Sequence, residues 1–127
     1  GRIIVAGPNF LRVFGFSATH WRTKGLLNPI KNLVIVIYKY FQTIFFPRSL
    51  RFNFMEPLIN DDFQTDDDAI CETNMIEVRH FLKSLDVDIK YQSGLVNYHS
   101  SFLVNKFSEI PIIRDLTGGY FIAGKKK

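Results

Sequence analysis

From Leu33 to Phe46 almost every position is apolar or aromatic; Lys39, Gln42 and Thr43 are the interruptions. Pro29 suits a first helical turn with Asn28 as its cap, and Pro47 cannot continue a helix. The pattern predicts one helix from about Pro29 to Phe46, about 18 residues and roughly 27 Å long. Further along, Met75, Val78, Phe81, Leu82 and Leu85 recur at helical spacing behind Asn74 and Glu77, which are spaced as a capping box. A second helix is expected over 75–85. Val87, Ile89 and Tyr91 then alternate with Asp88 and Lys90, the mark of a half-buried strand. A short helix fits 100–107, with Phe102, Leu103 and Phe107 on one face. Ile112, Ile113 and Leu116, then Thr117-Gly118-Gly119, then Tyr120, Phe121 and Ile122 predict a β-hairpin turning on Gly118 and Gly119. Pro111 cannot donate a ladder hydrogen bond, so it belongs at the entrance of the first of these strands.

Helix, strand, short helix, proline, strand, glycine turn, strand is an order with relatives. "MIEVRHFLKSLDVDIKYQ" followed by "SEIPIIRDLTGGYFIAG" resembles the thioredoxin-like N-terminal half of glutathione transferases and glutaredoxins, nearest the metaxin branch. The resemblance covers about residues 69–124. It implies a cis Ile110–Pro111 bond, with 112–116 pairing antiparallel to 120–123. Metaxins are mitochondrial membrane-import and assembly proteins, so it also implies a mitochondrial membrane setting. Departures are plain: only Ala69-Ile70 precedes Cys71 as a first strand, and the family's later helices have no counterpart. The expected fold class is α+β: an incomplete thioredoxin-like module at 69–127, preceded by a basic, apolar N-terminal extension at 1–46. That extension carries one long membrane-type or partner-buried helix, and an acidic connector at 47–68 joins the two parts.

Charge sharpens this division. Residues 1–55 contain eight Arg or Lys and no acid, a net +8; residues 56–127 contain eight Arg or Lys and all twelve acids, a net −4. An acid-free, Arg-bearing start resembles a mitochondrial targeting region, and its charge suits a polyanionic or membrane partner. Hydrophobic residues make up 46% of the chain and aromatic residues 15%, which is apolar for a freely soluble small domain. Three surroundings compete for the apolar helix. Spanning a bilayer puts Lys39 near mid-membrane; lying in the interface needs a clean polar face; the third is burial against partner proteins. In each, Leu33, Ile35, Ile37, Phe41, Phe45 and Phe46 are the contact residues.

Candidate chemistry is sparse. Cys71 is the one cysteine, which excludes an internal disulfide and any Cys-x-x-Cys site. It stands near the position of a glutaredoxin nucleophile, but the fourth position is Asn74. His20, His80 and His99 lack metal-ligand spacing. Asp66-Asp67-Asp68 lacks the glycine and distal glutamate of a calcium loop. No phosphate loop or dinucleotide fingerprint is present. The expectation is a non-catalytic accessory subunit of a mitochondrial inner-membrane assembly, with the respiratory chain as leading host. It needs no cofactor; subunits of a large hetero-oligomeric complex and lipid are its partners. The alternatives are a mitochondrial ribosomal protein whose basic extension binds rRNA, and a monothiol oxidoreductase acting through Cys71.

Overall fold

The computed structural model describes residues 1–13, 27–54, 56, 71–95 and 106–127. Expectations for 100–105, for most of the acidic connector, for Ala69-Ile70, and for His20 and His99 lie outside these residues. The elements run β1 (Arg2–Pro8), α1 (Leu27–Phe45), β2 (Asn53–Phe54), β3 (Cys71–Glu72), α2 (Met75–Ser84), β4 (Val87–Leu95) and β5 (Gly119–Lys126). Short 3-10 turns occupy Pro47–Ser49 and Arg114–Leu116.

Mixed α+β content holds, but the sheet is not thioredoxin-like. Its order is β1-β5-β4, and both pairings are antiparallel. The expected hairpin is absent: β5 pairs on one side with β1, Val5 opposite Ile122, and on the other with β4, Gln92 opposite Ile122. Residues 112–116 form turns instead, and no described peptide bond is cis, so Ile110–Pro111 is trans. Ile112 sits at φ 76, a left-handed backbone that a β-branched residue adopts only under strain and that no strand accommodates. The N-terminal residues do not simply precede a module, since β1 is an edge of its sheet. The membrane-type helix is also corrected: among the described residues no helix is long and apolar enough to cross a membrane.

Local chemistry explains the elements. Asn74 caps α2: its Oδ1 accepts from the Glu77 backbone N–H at 3.0 Å, and its amide donates to the Glu77 carboxylate at 2.6 Å. After α2 the chain reverses at Asp86, φ 58, a left-handed position that aspartate tolerates. β4 shifts register between Ile89 and Tyr91, a bulge that turns Tyr91 to the sheet face opposite α2. Glycine is required at Gly94, where a Cβ would lie 2.0 Å from Thr117 Oγ1 and 2.9 Å from the Arg114 carbonyl.

Two cores result. α2 lays Met75, Val78 and Leu82 on Val87, Tyr120 and Ile122 of the sheet, with Ile3, Val5, Phe52 and Ile89 around them. A second cluster joins Leu11, Val36, Ile76 and Leu116, which brings α1 onto the start of α2 and the Arg114–Leu116 turn. Buried Asn9 fastens this corner. Its amide donates to the Asp115 and Thr117 carbonyls, both at 2.8 Å, and its Oδ1 accepts from the Leu11 N–H at 3.2 Å.

Candidate functional site

α1 is oriented against expectation for a helix on a water-soluble protein. Its inward stripe is largely polar. Asn32 is buried and donates to the Arg12 carbonyl at 2.8 Å. Lys39 pairs with Glu77, Tyr40 donates to the Asp115 carboxylate, and the Thr43 hydroxyl donates back to the Lys39 carbonyl at 2.8 Å. Val36 is the one fully buried apolar side chain of this stripe. Outward, Leu27, Ile30, Val34, Tyr38, Phe41, Ile44 and Phe45 recur at helical spacing, and Phe46 extends the row; Leu27 is 78% exposed and Ile44 70%. Phe41 and Phe45 stack on each other, centroids 6.1 Å apart. Eight side chains more than half exposed amount to on the order of 800 Å² of apolar surface, one partner's share of a standard protein interface. The largest patch on an ordinary monomer is about 300–600 Å².

Beneath α1 lies a buried polar cluster centred on Asp115. Arg79 Nη1 and Nη2 donate to its two carboxylate oxygens, both at 3.1 Å, and Tyr40 donates to Oδ2. Burial pushes the Tyr40 hydroxyl up to about 12, helped by its hydrogen bond to Asp115 and by that carboxylate's charge. Burial alone would lower the Arg79 pKa; Asp115 opposite outweighs it, and the net direction is upward. Arg114 moves the other way, downward through burial, against the pull of Asp115 and with the push of Arg79. With its amide turned to meet both donors, Gln92 accepts from Arg114 Nη1 and Nη2 at 3.0 and 2.7 Å. Arg114 Nε is buried 4.0 Å from Asp115 and finds no hydrogen-bond partner among the described residues. The cluster ties α1, α2, β4 and the 114–116 turn together. Its carboxylate is fully engaged, which suits packing rather than proton transfer.

No family model, curated protein or solved structure matches this chain.

The residues singled out from the sequence scatter. Leu33, Ile37, Phe41, Phe45 and Phe46 are exposed on or just beyond α1, whereas Ile35 turns half-buried toward the second core. Pro111 is exposed in a turn; Gly118 is half-buried in a bend, and Gly119 begins β5. Cys71 lies in β3, opposite Phe54, not at a helix start. Burial, then the charges of Glu77 and Glu72, push its thiol upward, the wrong direction for a nucleophile. Among the described residues no group of three His, Cys, Asp or Glu could hold a metal.

Sequence reading missed two features. The Asp115 cluster draws its members from positions 40, 79, 92, 114 and 115; an Asp between Arg114 and a buried leucine was the available signal. The other is a groove of about 680 Å³ between residues 47–54 and α2, lined by Arg48, Arg51, Phe52, Phe54, His80 and Phe81 among others. Its signal was the alternation of arginine and phenylalanine in "RSLRFNF".

Proposed function

We propose that this chain is a structural, non-catalytic subunit of a hetero-oligomeric assembly, seated by the outer face of α1 on an apolar surface of a partner protein. One observation carries the reading: α1 spends Asn32, Lys39 and Tyr40 on internal contacts and turns most of its aliphatic and aromatic residues outward. A helix that served only to fold the chain would have the reverse orientation. Lipid fits less well. A helix lying on a membrane carries several Lys or Arg for headgroups, whereas Lys39 is committed to Glu77 within the protein and Lys31 alone of the α1 cations is exposed. A mitochondrial inner-membrane assembly is the proposed location, supported by the acid-free, basic first 55 residues. Within it the chain adheres to a partner. The upward-shifted Cys71 thiol and the saturated Asp115 carboxylate support a packing role.

The test is a Val34→Asp/Phe41→Asp double variant expressed in place of the native chain. Both side chains are exposed, so the isolated variant should unfold at nearly the wild-type temperature. In mild detergent the wild-type chain should migrate with partner proteins and the variant should not. A variant that still co-migrates defeats the proposal. Wild-type chain floating with protein-free phospholipid vesicles, with the variant failing to float, would also defeat it, because the outer face of α1 would then bind lipid.

A further inference from the structure

The groove between residues 47–54 and α2 is separate from the outer face of α1, and its chemistry differs. One wall is Pro47, Arg48, Leu50, Arg51, Phe52 and Phe54; α2 supplies the other through Glu77, His80, Phe81 and Ser84. Local sequence builds it. Pro47 ends α1 and opens a 3-10 turn, so the chain folds back along α2 instead of continuing outward. Phe52 then meets Phe81 edge-on, centroids 5.6 Å apart at 66°, and this contact forms the apolar floor. Phe54, at the end of β2, stays 75% exposed. β2 itself is held by pairing with β3 and by Asn53 donating to Glu72 at 2.6 Å.

Among the described residues of the lining the charges are unbalanced. Arg48 and Arg51 are exposed, and neither makes an ion pair with a described residue. Among the described residues the one carboxylate in the lining, Glu77, is buried and held by Lys39 and Asn74. His80 lies on the opposite wall. The site thus combines two exposed guanidiniums without an ion pair among the described residues, an exposed phenyl face and a histidine in a cleft of about 680 Å³, within the range of about 300–1,000 Å³ that takes a compact organic ligand.

We propose that this groove binds single-stranded nucleic acid, with a base stacked on Phe54 and phosphates paired with Arg48 and Arg51. Planar aromatic faces interleaved with cations are the chemistry of sequence-tolerant single-strand binding, because every base has a π-face and every nucleotide a phosphate. Guanidinium matches a phosphate's oxygens bidentately. An acidic peptide would satisfy the arginines but has no comparable use for the open ring of Phe54. A duplex keeps its bases stacked on one another and offers none to that ring. The inference goes beyond the docking of α1 and does not depend on it.

Fluorescence anisotropy with labelled ten-nucleotide oligouridylate and oligothymidylate tests it, on the full 127-residue chain, from about 50 to 200 mM salt. Both strands should bind, more weakly as salt rises. Phe54→Ala should weaken binding about 5- to 100-fold. Arg48→Ala and Arg51→Ala should each reduce the slope of log affinity against log salt by about 0.7, the value for one single-strand phosphate contact. Lys31→Ala, exposed on α1 and outside the groove, should leave affinity unchanged. Unfolding temperatures of all variants should match wild type, since the replaced side chains are exposed. Three results would each overturn the proposal: a ten-base-pair duplex binding as tightly as the single strands, Phe54→Ala binding like wild type, or an Asp-rich decapeptide displacing the oligonucleotide at equal concentration.

Discussion

Removing the Asp115 carboxylate should be among the most damaging single changes in this protein. Its side chain is fully buried, and that of Arg79 is 13% exposed. Asp115→Ala deletes two charge-assisted hydrogen bonds of 3.1 Å from Arg79 and one from Tyr40. The larger loss is electrostatic. Arg79 and Arg114 then face each other, both largely buried, with no anion between them. Breaking a buried pair from one side costs about 3–5 kcal/mol, because the remaining charge is uncompensated. A small domain has about 5–15 kcal/mol in all. Urea unfolding followed by circular dichroism reads this directly. At a slope of about 2 kcal/mol per molar, the midpoint should fall by about 2 M with the slope unchanged. If Asp115→Ala leaves too little folded protein, Asp115→Asn keeps the shape and gives a smaller loss in the same direction. The double change Asp115→Leu/Arg79→Met should recover much of the stability, since removing both charges also removes their desolvation cost. A loss under about 1 kcal/mol for Asp115→Ala, or strict additivity of Asp115→Ala and Arg79→Ala, would show that the pair is neither buried nor coupled as argued.

Tyr40 supplies a pH dependence of known sign. Its folded pKa, about 12, lies above the ordinary 10.0, so its stabilisation is complete below pH 10 and is lost as pH climbs toward 12; solvent screening of this half-buried group leaves about 1 kcal/mol. Tyr40→Phe should lack that part of the alkaline decline, and parallel decline of the two proteins in unfolding titrations would refute the assignment. Cys71, with its thiol shifted upward by burial, Glu77 and Glu72, should react with iodoacetamide at pH 8 more slowly than free cysteine, and Glu72→Gln should speed it; a rate at or above that of free cysteine would contradict the described environment.

Periodic, local signals were legible. The capped helix 75–84 and the strand from Val87 fall where the apolar spacing puts them, though Phe81, Leu85 and Tyr91 stay exposed, and α1 falls at 27–45 against an expected 29–46. A helix with two apolar-looking sides gives no sign of which side turns inward. That was decided by Glu77 and Asp115, far along the chain, which draw Lys39 and Tyr40 toward them. The misread hairpin has a similar cause. Tyr120, Phe121 and Ile122 do form a strand, but their partners are Gly7, Ala6 and Val5 on one side and residues 92–94 on the other. The nearby run at 112–116 buries two adjacent residues, Asp115 and Leu116, as a turn does, rather than alternate ones. The groove went unread because its two walls approach only when Pro47 reverses the chain along α2.

The strand order β1-β5-β4 has a consequence in time. As the chain is synthesised or drawn through a pore from its N-terminal end, both flanking strands emerge before the strand that joins them. Until Gly119–Lys126 arrives, β1 and β4 have no neighbour in this sheet, and Met75, Val78 and Leu82 have little of the sheet face to cover. The early strand must wait across more than a hundred residues for its partner, Arg2 for Lys125, and such distant pairings form slowly because loop closure precedes any gain. In that interval the apolar edge of β1 and the outer face of α1 are exposed together. The chain is therefore most vulnerable to wrong association just before its middle strand appears.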